Sequence, residues 1–261
     1  MTLRDMVAGM LPDKRLKLIL RDLQAGGVGT VTSLATEVGV SQATIRRDLK
    51  RLADEGLVRR VYGGALPVLG SDDPFAEVAA VRTQEKDAIA ARCAGLITDG
   101  ETVLIDIGTT AHRVAKKLHG RQLTVITSSL AVLEELEGDL DIRLVLLGGM
   151  LRREYRSLVG FLTQDNIHQL HADRLILGAS GIRPDGQVMD TTVVEVPVKR
   201  AMIAASDQVM LVADLDKFPG IGMSRVCGPE DIDVVVTNSP ADPTTVAALT
   251  SAGVDVVEVR A

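Results

Sequence analysis

No tryptophan occurs in the 261 residues, and there are only two tyrosines and three phenylalanines. Val, Ile, Leu and Ala must therefore fill the core. Cysteine is nearly absent: Cys93 and Cys227 lie far apart and match no metal-ligand spacing, which excludes a disulfide framework and a cysteine-held metal. They read as two buried thiols of a reducing cytoplasm. No apolar run approaches the roughly 20 residues that span a bilayer, so no membrane partner is expected. The opening Met1-Thr2-Leu3-Arg4-Asp5 leads into no signal-like apolar segment, and a cytoplasmic location is expected.

The hydrophobic share of 46% and charged share of 25% suit an ordinary globular protein, and the length suits a short domain plus a larger one. The net charge of −6 argues against a nucleic-acid partner until it is divided. Residues 1–66 carry 11 Lys and Arg against 7 Asp and Glu, a balance of +4; the remainder carries 18 against 28, or −10. A phosphate-backbone footprint then belongs to the first quarter of the chain.

That quarter reads as three helices. Leu16, Ile19, Leu20 and Leu23 recur at i, i+3, i+4, i+7 after Pro12 and Asp13, and the pattern ends in Ala25-Gly26-Gly27-Val28-Gly29. Thr30 can cap a short second helix carrying Leu34, Ala35 and Val38, stopped at Gly39. Ser41 caps a third, whose Ile45, Leu49 and Leu52 line one face while Arg46, Arg47, Lys50 and Arg51 project elsewhere; Gly56 ends it. Two helices around a Gly-containing turn, the second basic outside, predict a helix-turn-helix. Ser41, Gln42, Ala43 and Thr44 stand near the recognition helix's N-terminus, where base edges are met. Arg46, Arg47 and Lys50 can contact bases or phosphates. Residues 57–65 alternate and turn like a β-wing, with Arg59, Arg60 and Tyr62 able to reach the DNA backbone or minor groove.

Residues 67–74, with Pro67, Gly70, Ser71, Asp72, Asp73 and Pro74, predict a linker, and a second domain over 75–261. Seven Val/Ile/Leu-rich runs follow, at 102–107, 123–127, 143–147, 174–178, 209–213, 234–237 and 254–259. Helical patterns at 85–97, 111–119, 129–137, 162–169, 195–205 and 242–251 separate most of them. This alternation predicts a mostly parallel α/β sheet. Ligands of such sheets bind beyond the strands' carboxyl ends. There stand Asp106 with Gly108-Thr109-Thr110, Thr127-Ser128-Ser129, Gly148-Gly149, Gly178-Ala179-Ser180-Gly181 and Asp214-Leu215-Asp216-Lys217. Gly/Ser/Thr turns opening helices, with hydroxyls and a lysine, suit a small polyol carrying phosphate. Neither G-x-x-x-x-G-K-[ST] nor G-x-G-x-x-G is present, so no nucleotide cofactor is expected.

Val40-Ser41, Thr44-Ile45-Arg46-Arg47-Asp48-Leu49 and Arg60-Val61-Tyr62-Gly63-Gly64-Ala65 resemble the N-terminal signature of DeoR-type bacterial regulators. Glu85-Lys86, Asp99-Gly100, Asp106-x-Gly108-Thr109-Thr110, Thr127-x-Ser129, Gly148-Gly149, Ser157-x-x-Gly160, Glu195-x-x-x-Lys199-Arg200 and Asp214-x-x-Lys217-Phe218 resemble that family's effector domain. The resemblance covers nearly the whole chain. It implies a winged helix-turn-helix on double-stranded operator DNA, and a domain similar in fold to ribose-5-phosphate isomerase and CoA transferases. It further implies a phosphorylated sugar effector, repression of carbohydrate genes relieved by that ligand, and a homo-oligomer, dimer or tetramer. On this reading Gly108, Thr109 and Thr110 hold the phosphate, with Thr127, Ser128, Ser129 and Lys217 nearby. Asp106, Glu195 and Lys199 hold the sugar or organise the pocket, and Asp48 orients neighbouring arginines.

Ile107, Ser128 and Asp216 depart from the family's usual small residue, Asn and Ser, and Asp216 would repel a dianion unless it points away. Glu195 and Lys199, at i, i+4, can equally be a plain helical ion pair. Arg152, Arg153 and Arg156 can close over a phosphate or form a solvated face. His168 and His171 lack a surrounding ligand set and read as surface histidines, so no metal is expected. The competing class is an isomerase-like enzyme with a fused DNA-binding domain, using Asp106, Glu195 and Lys217. A constitutive DNA-packaging protein would need no pocket-bearing domain.

Overall fold

The computed structural model describes residues 15–16, 18–19, 22–23, 29–54, 58–61, 63–67, 75–220 and 222–260. The chain divides into two compact units, Met1–Ser71 and Asp72–Ala261.

In the first unit the described residues between 15 and 23 are helical. Leu16, Ile19 and Leu23 are buried in one cluster with Leu34, Ile45, Leu49 and Leu52. Leu20, Gly56 and the loop at 25–28 lie outside the described residues. Helix α1 (Val31–Val38) is closed at both ends by its own sequence. Thr30 Oγ1 accepts from the Ser33 amide at 3.0 Å, Ser33 Oγ accepts from the Thr30 amide at 3.1 Å, and Gly39 is left-handed at φ 70°. Helix α2 (Gln42–Asp54) starts where Ser41 Oγ accepts from the Thr44 amide at 3.1 Å. Strands β2 (Val58–Val61) and β3 (Gly64–Pro67) form the wing, with Val61 opposite Gly64, and β1 (Gly29–Thr30) pairs with the other side of β3.

In the second unit, helices α3 (Phe75–Ala79) and α4 (Thr83–Ala94) precede β4 (Thr102–Ile105), α5 (Thr109–Lys116), β5 (Leu123–Thr127), α6 (Leu130–Leu136) and β6 (Ile142–Leu146). The hairpin β7 (Met150–Arg152) and β8 (Ser157–Val159) leads into α7 (Phe161–Ile167) and β9 (Ala172–Gly178). Next come β10 (Gly181–Ile182), β11 (Val188–Asp190), α8 (Val196–Ala204), β12 (Ser206–Val212), β13 (Ser224–Cys227), β14 (Val234–Asn238), α9 (Pro243–Ser251) and β15 (Asp255–Val259). The seven apolar runs form one sheet in the order β15-β14-β12-β9-β4-β5-β6, and every pairing in it is parallel.

Alternate residues of each strand enter different cores, which is why the runs read as continuously apolar. Val103 and Ile105 join Ile89 of α4, Val114 of α5 and Val132 of α6, whereas Leu104 joins Ile167 of α7, Met202 of α8 and Leu249 of α9. The expected helix at 111–119 begins earlier, at Thr109, which draws Thr109 and Thr110 into its first turn. The β7–β8 hairpin and the antiparallel sheet β10-β11-β13 have no counterpart in the apolar pattern, because strands of two to four residues are too short to show a period. Among the described residues no helix is long and apolar enough to cross a membrane.

Candidate functional site

From β4 the chain moves outward through β5 and β6; from β9 it moves the other way through β12, β14 and β15. The crevice where these directions part, between the ends of β4 and β9, is the place a ligand occupies in open α/β sheets. Asp106 follows β4 there and is 1% exposed. Its Oδ2 accepts from the Gly178 amide at 3.0 Å and from Lys199 Nζ. Lys199, from α8, also donates to the Gly178 carbonyl at 3.0 Å and lies 3.6 Å from Asp190 Oδ2. Burial alone pushes the Lys199 ammonium down, but Asp106, Asp190 and Glu195 outweigh it and raise its pKa above the usual lysine value.

Glu195, just before α8, accepts from Ser157 Oγ at 2.8 Å and from Arg152, both on the hairpin. Burial pushes the Glu195 carboxyl up, against the opposing pull of Lys199 and Arg152. The hairpin is fixed to the α6 entrance by the Leu158 amide donating to the Ser128 carbonyl at 2.9 Å and by a bridge between Ser129 and Ser157. Asp106, Lys199, Glu195, Arg152 and Ser157 thus form one network, bordered by Ser128. Within it Asp106 Oδ1, Ser128 Oγ and Glu195 Oε2 are buried without a hydrogen-bond partner. Orphaned buried oxygens cost about 1–3 kcal/mol each, and three in one network fit a polar ligand.

Helix α5 opens beside Asp106. Its N-cap, Gly108, sits at φ 117° with no side-chain cap, so the first-turn amides and the positive end of the dipole are available to an anion. Thr109 is buried and Thr110 half-buried in that turn. Thr127 and Ser129 have structural work: Thr127 Oγ1 donates to the Ile105 carbonyl at 2.7 Å and accepts from the Ser129 amide, and Ser129 Oγ caps α6. Lys217 ends a short 3-10 turn, half-buried, beyond β12. Asp216, next to it, is already engaged by another side chain. Arg82 holds it in a two-pronged contact at 2.9 and 2.7 Å, which offsets its charge.

Other expectations are corrected. Glu195 and Lys199 are not a plain helical pair; each turns to a different partner. Arg152 forms no solvated face but engages Glu195 and stacks 5.8 Å from the Tyr155 ring. Gly148 and Gly149 serve packing: the Gly148 amide donates to Asn166 Oδ1 at 3.0 Å, and a Cβ on Gly149 would meet Thr163 Oγ1 at 2.1 Å. Asp48 does not orient the neighbouring arginines of its own helix; buried, it pairs with Arg15 at 2.7 and 3.1 Å, tying α2 to the helical residues between 15 and 23. Sequence reasoning missed Ser157 and Asp190 as site residues. Ser157 carried a signal only through its motif with Gly160, and Asp190 carried none. His171 pairs with Asp207 at 3.1 Å, and the described residues hold no group of three side chains fit for a metal.

On α2, Ser41, Gln42, Ala43, Arg46, Arg47 and Lys50 are exposed and Thr44 half-buried, opposite the apolar face of Ile45, Leu49 and Leu52. Gln42 bridges Thr32 Oγ1 at 3.4 Å and Arg46 at 3.3 Å, which spans the turn between the two helices. On the wing Arg60 is exposed; Tyr62 and the side chain of Arg59 lie outside the described residues.

Comparison with known proteins adds the decisive observation. The model of the DeoR-like helix-turn-helix domain matches residues 15–68, and that of the DeoR C terminal sensor domain matches residues 81–239. The chain belongs to the DeoR family. It is 40% identical over 240 residues to the transcriptional repressor AccR of Agrobacterium fabrum, covering 90% of this chain and 92% of that one. It is also 40% identical over 219 residues to the glycerol-3-phosphate regulon repressor of Escherichia coli, covering 83% and 86%. The repressor GlcR of Bacillus subtilis is 31% identical over 231 residues, covering 88% and 89%. A ribose 5-phosphate isomerase A from Methanocaldococcus jannaschii aligns with 51% of this chain and 52% of its own at 14% identity and a TM-score of 0.38, too loose a match to carry an argument. The DeoR assignment makes the chain a transcriptional regulator with a DNA-reading and a sensing domain.

Proposed function

We propose that this DeoR-family chain is a cytoplasmic repressor of carbohydrate genes that leaves its operator when a small phosphorylated polyol enters the crevice between β4 and β9. The ligand's phosphate sits on the first-turn amides of α5, at Gly108, Thr109 and Thr110, with Lys217 as counter-charge. Its hydroxyls meet Asp106 Oδ1, Ser128 Oγ and Glu195 Oε2. The observation that carries this reading is the set of three buried, unpartnered oxygens beside an uncapped helix N-terminus. Lys199 organises the pocket rather than reacting: an ammonium pinned among carboxylates is a poor base near neutral pH. The DNA is read by Gln42, Ala43, Thr44, Arg46, Arg47 and Lys50, with Ser41 fixing the start of the helix and Arg59, Arg60 and Tyr62 serving from the wing.

The test is a thermal-shift series of the full chain with sugar and polyol phosphates, glycerol 3-phosphate among them, against their unphosphorylated parents. A ligand at 100 times its Kd stabilises the native state by about 2.7 kcal/mol. A shift with one ester and none with its parent is expected, and the same ester should release the protein from DNA carrying its operator. Thr109→Ala should lose the shift and keep DNA binding; Arg46→Ala should do the reverse. Shifts with parent polyols alone, or with no compound, would sink the pocket assignment.

A further inference from the structure

Helix α2 does not present its polar side chains alike. Ser41 and Thr44 turn their hydroxyls to each other at 2.9 Å, and Ser41 Oγ also accepts from the Thr44 amide, so both are occupied in starting the helix. Arg47 and Lys50 are exposed, and no side chain among the described residues braces either of them. Arg46 differs. Its guanidinium donates at 3.3 Å to Oε1 of Gln42, one turn earlier, and Gln42 Nε2 donates at 3.4 Å to Thr32 Oγ1 on α1. Arginine has donors and no acceptor, so this contact fixes which way the Gln42 amide points.

That orientation decides what each residue can read. A glutamine recognises adenine in the major groove by offering its amide oxygen and nitrogen together. In Gln42 both are already committed, the oxygen to Arg46 and the nitrogen to Thr32. Arg46 gives one N–H to Gln42, and a guanidinium carries five, which leaves a fork for two parallel bonds. Guanine O6 and N7 are the base-edge acceptors that take such a fork. Held by its own helix, the fork is ordered before DNA arrives, so less side-chain freedom is lost on binding. Both bonds are exposed and long and add little to folding, but in a groove that excludes water they strengthen.

We propose that Arg46 reads a guanine of the operator, and that Gln42, braced by Thr32, contributes by positioning Arg46 and contacts no base edge of its own. Thr32 lies on the neighbouring helix and acts at one further remove. Ala43, Arg47 and Lys50 are left for adjoining bases and phosphates. The inference rests on the reading of α2 as the helix that enters the major groove; it adds the base that is read and two positioning residues.

The experiment selects duplexes from a random pool with the full chain. Each base pair of the selected duplex is then varied in fluorescence anisotropy at about 50 mM salt, where non-specific binding is measurable. The wild type should prefer one G·C pair by roughly 5- to 150-fold, the worth of a bidentate contact. Arg46→Ala should bind the selected duplex and its variant at that pair equally. Gln42→Ala should cut the preference at the same pair, and adding it to Arg46→Ala should change nothing further there, because both act through one contact. Thr32→Val should cut that preference about threefold or more, the effect of one lost hydrogen bond. Its affinity for an unrelated duplex should stay within about twofold, since phosphate contacts are untouched. Thr32→Ser, which keeps the hydroxyl, should retain the wild-type preference. Far-UV circular dichroism checks each fold. Three results would overturn the proposal: Gln42→Ala relaxing a different pair from Arg46→Ala, Thr32→Val keeping the full preference, or Arg46→Ala relaxing an A·T pair. Arg46→Ala with wild-type affinity for every duplex would overturn the placing of α2 in the groove as well.

Discussion

Lys199 is 2% exposed, and a lone ammonium so placed would be very costly. It persists because Asp106 accepts its proton-bearing end directly, the Gly178 carbonyl takes a second hydrogen bond, and Asp190 and Glu195 add negative potential. Removing the cation leaves three buried or nearly buried carboxylates facing one another, so Lys199→Met should cost about 3–5 kcal/mol, the loss typical of breaking one side of a buried pair. With no tryptophan in the chain, urea unfolding followed by far-UV circular dichroism is the suitable measurement. A loss below about 1 kcal/mol, the worth of a surface pair, would show that the cluster is solvated and not the fixed frame described above. None of this was legible from spacing. Glu195 and Lys199 stand four apart, which suggests a helical pair, and only the fold reveals that the helix delivers each to a different partner. The sequence pattern suggested a contact between the two that the fold replaces with other partners.

At the scale of elements, the long apolar strands were legible because each is buried on both faces and carries little else. The seven runs appear within a few residues of their predicted bounds, and the helices between them likewise. What stayed hidden were β7, β8, β10 and β11, held by tertiary contacts rather than by their own pattern. Gly148-Gly149 shows the same limit of pattern. A glycine pair after a strand looks like a ligand turn, and only the approach of Thr163 identifies it as close packing. Gly108 is the contrary case. Its φ of 117° and ψ of 160° fall in a region that is essentially glycine's, and a Cβ there would meet nothing within 4 Å. Gly108→Ala should therefore cost about 1–3 kcal/mol through backbone strain alone. If the strain is relieved by turning the first amides of α5, the thermal shift given by the phosphate ester disappears as well. Unchanged stability together with an unchanged shift would mean that the Gly108 conformation does not position the anion.

For the whole molecule, the question is how an occupied crevice is felt by the DNA-reading unit. Phe75 is the first described residue after the segment that joins the two units in sequence. Its amide donates to the Glu154 carbonyl at 3.0 Å, and its ring meets Tyr155 at 5.9 Å and His112 at 5.8 Å, both edge-on. Tyr155 belongs to the hairpin whose Arg152 and Ser157 hold Glu195; His112 lies on α5, whose N-terminus opens on the crevice. One buried ring thus touches both structures that a ligand would draw together. Spatial intermediacy is only a motive, and the physical claim is a coupling free energy. Effectors of this kind change affinity 5–150-fold, or about 1–3 kcal/mol. Phe75→Leu keeps an apolar side chain and removes the ring edges, so folding and the separate affinities for operator and ligand should survive. The ratio of operator Kd with and without ligand should fall to within about twofold, read by fluorescence anisotropy at saturating sugar phosphate. If that ratio matches the wild type, the signal leaves the crevice by another route, and the hairpin's hold on Glu195 serves binding alone.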